Sequence, residues 1–367
     1  MKGRYNGIKY LLNSFRPTHY PTLGLDITST AVKILEISWD GETLCMERYG
    51  REALPPHAMD GTVIKDVNII AFCIKKLCDR LQINSKQVVL AVPDAAVITR
   101  IVQINDGLND EDMEELIVIE AEKYIPYPIN EINFDFEILG ASEKNPLLLD
   151  VLIVATRAEN VTNRVEIVTR AGLNAVAVDV ESYAVERAAQ HLTKNLPSSG
   201  PDKTIAIIDI GANYTHLFVL HAMKLIYSRD EEFGGKQLIE AIAEHYNMTF
   251  EQAALAKEQG QLPIDYEVLI LEPFKENVLV HIKRMLHFFY SSCREEEVDS
   301  ILLAGGLSQL PGLVVLIQEQ LGIEVSVINL FSHMRFGKMI RLESINNDAP
   351  SFMVACGLAL RNIGLSQ

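Results

Sequence analysis

The chain has 367 residues, 48% of them hydrophobic and 22% charged, with a formal net charge of −16. That length suits two domains rather than one, and the acidic balance excludes wholesale nucleic-acid binding, because phosphate backbones attract surfaces rich in Lys and Arg. No apolar run approaches the ~18 residues needed to span a bilayer.

The first twenty residues carry four bases (Lys2, Arg4, Lys9, Arg16) and no acid. They lack the continuous apolar core and small-residue cleavage site of a secretory signal, so none is expected. Ile8, Leu11, Leu12 and Phe15 form one helical stripe. It suits either a helix lying on an anionic membrane or a partner, or one packed on its own domain. After Pro21 the reading is a buried strand LGLDI, a polar turn, the strand VKILEIS and a hairpin turn at Asp40-Gly41. Helical spacing covers Ile69–Leu81, and Val88–Pro93 reads as a strand. Val97–Ile104 is a further strand, followed by a helix capped at Asn109-Asp110 with Met113, Ile117, Ala121 and Tyr124 on one face. Two strands (Ile132–Leu139, Leu147–Ala155), a helix (Ala158–Ala171), a strand (Ala175–Asp179) and a helix (Glu181–His191) complete the first half. Asn195–Lys203 is a turn-rich linker.

The second half opens as the first does, with strands IAIIDI, HLFVL and KLIYS. Helices follow over Lys236–Tyr246, Phe250–Gln259 and Phe274–Cys293, the last burying Phe274, Val278, Ile282, Met285 and Phe289. Strand SILLAGG, a helix after Pro311, strand VSVINL and a helix over Pro350–Leu360 end the pattern. The five cysteines (Cys45, Cys73, Cys78, Cys293, Cys356) have no metal spacing and read as reduced thiols of a cytoplasm. His281 and His287, six apart on one helix, are too far round it to share a metal and read as satisfied or exposed.

The two openings form an internal repeat. Laying GLDITSTAVKILEI on AIIDIGANYTHLFVL pairs Asp26 with Asp209, Thr28 with Gly211, Thr30 with Asn213 and Lys33 with His216. Each copy is an apolar strand ending in Asp-Ile, a small polar turn and a returning strand. Backbone N–H groups in such a turn form a concave anion site, and a carboxylate at each strand end suits the hydrated magnesium that accompanies ATP. Gly234-Gly235 and Ala304-Gly305-Gly306 offer bare backbone for close approach of an adenosine. Singly each is an ordinary turn; the ordered set points to a nucleotide site.

These residues resemble the actin, sugar-kinase and Hsp70 superfamily. Stretches such as LDITSTAVKILEIS, EAEKYIPYPI, RMLHFFYSS and ILLAGGLSQLPGL narrow the resemblance to the type IV pilus assembly protein PilM family, from about Leu23 to Ile363. The resemblance implies an α/β, actin-like (duplicated ribonuclease H-like) two-domain fold with an FtsA-like small insertion domain. The implied layout is a basic extension over 1–20 and a first half over 21–196 with the insertion at about 97–171. A second half over 204–345 holds a helical subdomain at about 236–298, and 346–367 returns to the first half.

It further implies a cytoplasmic protein, peripheral on the inner membrane, binding ATP and Mg2+ between its halves. Its expected partner is the N-terminal cytoplasmic tail of PilN, and through PilN the pilus alignment complex and motor ATPases. By match to the family, Asp26, Thr28, Ser29, Thr30 and Lys33 belong to the first phosphate turn, and Asp209, Gly211, Ala212 and Asn213 to the second. Gly234, Gly235 and Gln237 lie beside the sugar, Lys257 beside the adenosine, and Gly305 and Gly306 under it. Asp26 and Asp209 hold magnesium through water.

Glu181 stands where related ATPases carry a water-orienting residue, although an acid at a helix start needs no more than the helix dipole. Thr28 replaces a glycine usual in the first turn, and Ala254 and Leu330 replace a ribose-binding Glu and a turn Pro. These departures imply at most a slow ATPase. Tyr124, Tyr127 and Ile129, within YIPYPI, are the expected wall of the partner groove. The alternative, a sugar or small-molecule kinase, needs a carboxylate base facing a substrate pocket, for which no motif stands out.

Overall fold

Apolar residues over Thr22–Ile27 and Ala31–Trp39 form β1 and β2, paired antiparallel so that Asp26 faces Lys33. The computed structural model describes residues 22–142, 145–193, 202–293, 296–340, 342–361 and 363. The basic N-terminal stripe and most of the 195–203 linker lie outside the described residues. The chain divides into two units: described residues up to Ala184 with those from Leu358, and Val185–Gly357.

In the first unit Asp40 accepts hydrogen bonds from the N–H groups of Glu42 and Thr43 at 3.0 and 2.8 Å, turning the chain into β3 (Leu44–Ala53). A minimal hairpin, β4 (Met59–Asp60) and β5 (Val63–Ile64), leads to α1 (Val67–Leu81), whose first N–H groups are capped by Asp66. β6 (Gln87–Val92) then runs parallel to β1.

The next block is β7 (Val97–Asn105), α2 (Asp110–Glu122), β8 (Ile132–Ala141) and β9 (Leu148–Arg157). Its sheet has the order β7-β9-β8, and Val102, Ile117, Phe134 and Ile153 sit in its own core. Asn109 caps α2 through the Asp112 N–H. The expected stripe of α2 is corrected at its end. The helix stops at Glu122, Tyr124 stands 50% exposed, and Ile125 takes the buried place. Once the chain leaves helical geometry before Pro126, spacing of three no longer keeps a residue on the same face.

After α3 (Ala158–Arg170) comes β10 (Asn174–Val180), and then α4 (Glu181–Thr193), within which the division between the units falls. The strands of this unit's main sheet follow the order β10-β6-β1-β2-β3. A buried ion pair between Arg361 and Asp179 fixes the chain's return to the end of β10.

The second unit repeats the plan. β11 (Thr204–Ile210), β12 (Thr215–His221) and β13 (Lys224–Glu231) form an antiparallel meander. Helices α5 (Gly235–Tyr246), α6 (Phe250–Glu258) and α7 (Glu272–Ser292) follow, α7 entered through a π-helical turn at Glu267–Leu271. β14 (Ser300–Ala304), α8 (Leu313–Leu321) and β15 (Glu324–Val327) complete the sheet, in the order β13-β12-β11-β14-β15. In both units the first three strands are antiparallel and the last two parallel, as a duplicated fold requires.

A helix absent from the sequence expectation, α9 (Leu342–Asp348), precedes a 3-10 turn (Ala349–Phe352) and α10 (Met353–Leu360). Among the described residues no helix is long and apolar enough to cross a membrane.

The five residues expected to face inward from α7 are all buried, with Phe289 fully enclosed against Tyr227. Phe289→Ala is expected to destabilise the second unit by about 3–5 kcal/mol, the usual loss for an aromatic cavity. Urea denaturation followed by tyrosine fluorescence measures it, and a midpoint equal to wild type would place Phe289 outside the cooperative core.

Candidate functional site

Three backbone segments of the second unit meet at the end of β11. Asp209 lies one residue before the strand's end, and the Gly211 N–H closes the following turn on the Tyr214 carbonyl at 2.9 Å. The start of α5 docks on this turn: the Gly235 and Lys236 N–H groups donate to the carbonyls of Gly211 and Ala212 at 3.0 and 2.7 Å. A Cβ at Gly234 would stand 2.6 Å from the Gly211 oxygen, so only glycine lets the two backbones approach this closely.

From the other side, Gly305 has φ +86° and its Cβ would lie 2.4 Å from Asp209 Oδ1 and from the Ile210 oxygen. Its N–H donates to Pro350, its carbonyl accepts from the buried Ser308 hydroxyl, and Leu307 N–H reaches Ile210. Gly306, by contrast, has nothing within 4 Å of where a side chain would begin. The loop is locked on one face and bare on the next.

Gln237 has a local task that its expected place beside a sugar did not include: its carboxamide oxygen accepts from the Gly234 N–H at 2.9 Å. Burial pulls the Lys257 ammonium on α6 below its ordinary pKa, against the pull of Glu258, and the group has no hydrogen-bond partner among the described residues. A half-buried cation in that state is stabilised by an anionic or lone-pair ligand. Asn213 is partly exposed in the turn.

In the first unit the matching turn closes in the same way, with Thr28 N–H on the Ala31 carbonyl at 2.9 Å. Thr28 takes the place of Gly211 without a left-handed backbone, and its hydroxyl adds bonds of 2.9 and 3.1 Å across the turn. The substitution therefore ties the turn down rather than straining it. Ser29 is partly exposed and Thr30 exposed, while the Thr30 carbonyl is held by the Leu54 N–H. Lys33 reaches the buried Asp26 carboxylate at 3.4 Å. Its counterpart His216 turns instead to Asp230, at 2.7 Å.

Glu181 opens α4, whose next N–H, that of Ser182, is capped by Asp94 at 3.0 Å. Beneath lies a residue the sequence reading missed. Arg164 is 3% exposed and donates to the Ala91 and Asn160 carbonyls at 2.7 and 3.0 Å. Burial lowers its pKa, while the charges of Glu181 and Asp26 act the other way. The signal was available: Val161, Arg164 and Val168 share one apolar helical stripe, where an arginine is out of place without acidic company.

Of the expected groove wall, Tyr127 is 37% exposed and lies under the Arg157 guanidinium, 4.3 Å from ring centroid to Cζ. Tyr124 is exposed beside it in sequence, and the Ile129 side chain lies outside the described residues. Beyond Tyr127 the chain enters β8, an edge strand of the small sheet. His281 is satisfied by Glu231 at 2.8 Å, and no group of metal-ligand side chains occurs among the described residues.

The family described as Type IV pilus assembly protein PilM matches residues 24–363. A solved structure of a PilM-PilN type IV pilus biogenesis complex is 28% identical, over 94% of this chain and 99% of that one, with a TM-score of 0.77. The ethanolamine utilization protein EutJ from Carboxydothermus hydrogenoformans is 15% identical, over 94% of this chain and 92% of its own, with a TM-score of 0.53. The fold is the actin-like α/β fold.

The bare face of Gly306 yields a direct test. Gly306→Val is expected to leave stability within about 0.5 kcal/mol of wild type and to weaken ATP binding about tenfold or more through steric overlap. Thermal melts and calorimetric titration measure the two effects. Unchanged affinity in the folded variant would show that no ligand lies on this glycine.

Proposed function

Because the chain belongs to the type IV pilus assembly protein PilM family, we propose that it is an ATP-binding scaffold of the pilus machine's inner-membrane platform, working on the cytoplasmic face. The observation that carries the nucleotide reading is the second unit's cradle. Three glycine-bearing segments are locked together around Asp209, yet Gly306 presents open backbone and Lys257 has no hydrogen-bond partner among the described residues. A loop held this rigidly without filling its open side is built for a ligand.

In this proposal Gly211, Ala212 and Asn213 take the phosphates, with Thr28, Ser29, Thr30 and Lys33 forming the equivalent turn of the first unit. Asp209 and Asp26, each at a strand end, hold the water shell of magnesium, since that ion dehydrates reluctantly. Gly306 faces the nucleoside, Gly234, Gly235 and Gly305 set the backbone around it, and Lys257 lies at its edge. ATP acts as a structural or switching ligand. Glu181 stands over the buried Arg164 charge and is the candidate for orienting water, at a turnover far below that of a kinase.

The partner proposed is the cytoplasmic tail of a PilN-type protein, as a solved relative is a PilM-PilN complex. Exposed Tyr124 and Tyr127 beside the β8 edge suit an extended peptide, which adds main-chain hydrogen bonds along a strand and seats apolar side chains in pockets.

Asp209→Ala is expected to weaken binding of magnesium-ATP with circular dichroism unchanged, and phosphate release by wild type should stay far slower than kinase turnover. Many turnovers per second onto a sugar acceptor would replace the scaffold by an enzyme, and full ATP affinity in the variant would move the site. Separately, Tyr124→Ser with Tyr127→Ser should weaken binding of a labelled PilN tail peptide by about 1–3 kcal/mol, the scale of apolar anchors, leaving ATP binding alone. Equal peptide affinities would place the partner elsewhere.

A further inference from the structure

Glu231 ends β13 as a buried carboxylate opposite Thr215. Arg284 on α7 sets its Nε 2.9 and 3.1 Å from the two carboxylate oxygens, and its Nη2 makes a further bond. His281, one turn earlier on α7, places Nδ1 2.8 Å from Oε2. An ionised carboxylate only accepts, so Nδ1 is the donor in that contact, while Arg284 Nη2 stands 3.0 Å from the same nitrogen. The Arg229 Nε stands 3.8 Å away. Burial pushes the Glu231 carboxyl up, but the hydrogen bonds and charges of Arg284 and His281 outweigh it and hold the pKa below the ordinary value.

The next residues carry this anchor to the nucleotide cradle. The Phe233 ring stacks on the His281 imidazole with centroids 3.9 Å apart, and on Phe274 at 5.5 Å. Its N–H donates to the Glu231 carbonyl at 2.8 Å, and its own carbonyl accepts the buried Thr215 hydroxyl at 2.8 Å. Immediately after it, Gly234 makes the close backbone approach and Gly235 donates to Gly211. Glu231, Phe233, Gly234 and Gly235 are thus fixed, at one end by α7 and at the other by the phosphate turn.

We propose that Glu231, His281 and Arg284 are positioning residues for the nucleotide site, seating the Phe233–Gly235 loop on the Gly211–Ala212 turn and coupling its place to α7. The proposal rests on the nucleotide reading given above. A packed apolar cluster would bury this surface as well or better, because a buried ion cluster contributes little net stability. What it adds is direction. Three donors aimed at one carboxylate fix the angle at which β13 delivers the glycines, and the site tolerates little error there because a Cβ-sized gap separates contact from clash. Movement of α7 is transmitted to the phosphate turn through the same bonds.

The test uses the full chain. Magnesium-ATP affinity is measured by calorimetry, and amide hydrogen exchange is followed without nucleotide over residues 232–236 and 204–210. Arg284→Met removes the main donor from a side chain that is about half exposed, and Arg284→Lys restores a cation. Arg284→Met is expected to weaken magnesium-ATP about two- to thirtyfold, the range for residues that modulate a site without touching its ligand. Exchange should rise over 232–236 and stay unchanged over 204–210, and Arg284→Lys should recover most of the affinity. Unchanged affinity in folded Arg284→Met overturns the proposal and leaves the nucleotide reading standing. Equal loosening of both segments also overturns it, by reducing the cluster to general packing. Failure of wild type to bind magnesium-ATP removes the nucleotide reading and this proposal with it. Should Arg284→Met not fold, His281→Phe, which keeps the ring stack and loses the hydrogen bond, is judged by the same measurements.

Discussion

The second unit's site is organised by the side chains that Gly234 and Gly305 lack. Strands β11 and β14 are parallel neighbours, and the segments leaving their ends converge until the Gly305 backbone closes on the Ile210 main chain and the Asp209 carboxylate. The start of α5 closes on the same point through Gly234. No side chain fits in those gaps, so the carbonyl and N–H groups of each segment are satisfied by the others instead of by water. The start of α5 and the bare face of Gly306 are both placed at that meeting of backbones.

The first unit reaches a similar geometry by other means. Its turn closes with the same hydrogen bond, but Thr28 supplies a hydroxyl where the second unit has Gly211. Its carboxylates have cationic neighbours on several sides: Lys33 against Asp26, Arg361 against Asp179, and the buried Arg164 within reach of Asp26 and Glu181. In a chain of net charge −16, such buried bases keep acidic strand ends from repelling one another. The charges of Glu181 and Asp26 in turn act on the buried Arg164.

Charge and apolar surface are divided differently around the β7-β9-β8 sheet. Its core of Val102, Ile117, Phe134 and Ile153 is closed, while Tyr124 and Tyr127 stay in contact with solvent and Arg157 covers one ring. An arginine over a tyrosine orients the ring without burying it. The prolines at positions 126 and 128 are what keep this segment from continuing α2 and hiding those rings.

The paired hairpins were legible from residues alone, because a period of two, a strand-ending Asp-Ile and a short polar turn are local facts. The same holds for α7, whose buried face follows from spacing, and for the Asn109 cap. The close approach of Gly234 and Gly305 was legible only as bare backbone; which atoms they meet depends on segments about twenty residues away for Gly234 and about a hundred for Gly305. α9 is hard to read from LESINND because its two apolar residues, Leu342 and Ile345, make a single pair rather than a stripe. Tyr124 was misplaced because helical spacing was carried one turn past the helix end. Gln237 as a cap, Arg164 among acids and His281 on Glu231 each depend on a partner set by the fold; a lone histidine or arginine in a sequence has no address. Local periodicity and turn chemistry therefore determined the elements and the repeat. Only the tertiary structure decided which polar groups are shut away from water together, since burial, and with it the need for a partner, does not exist until the chain has packed.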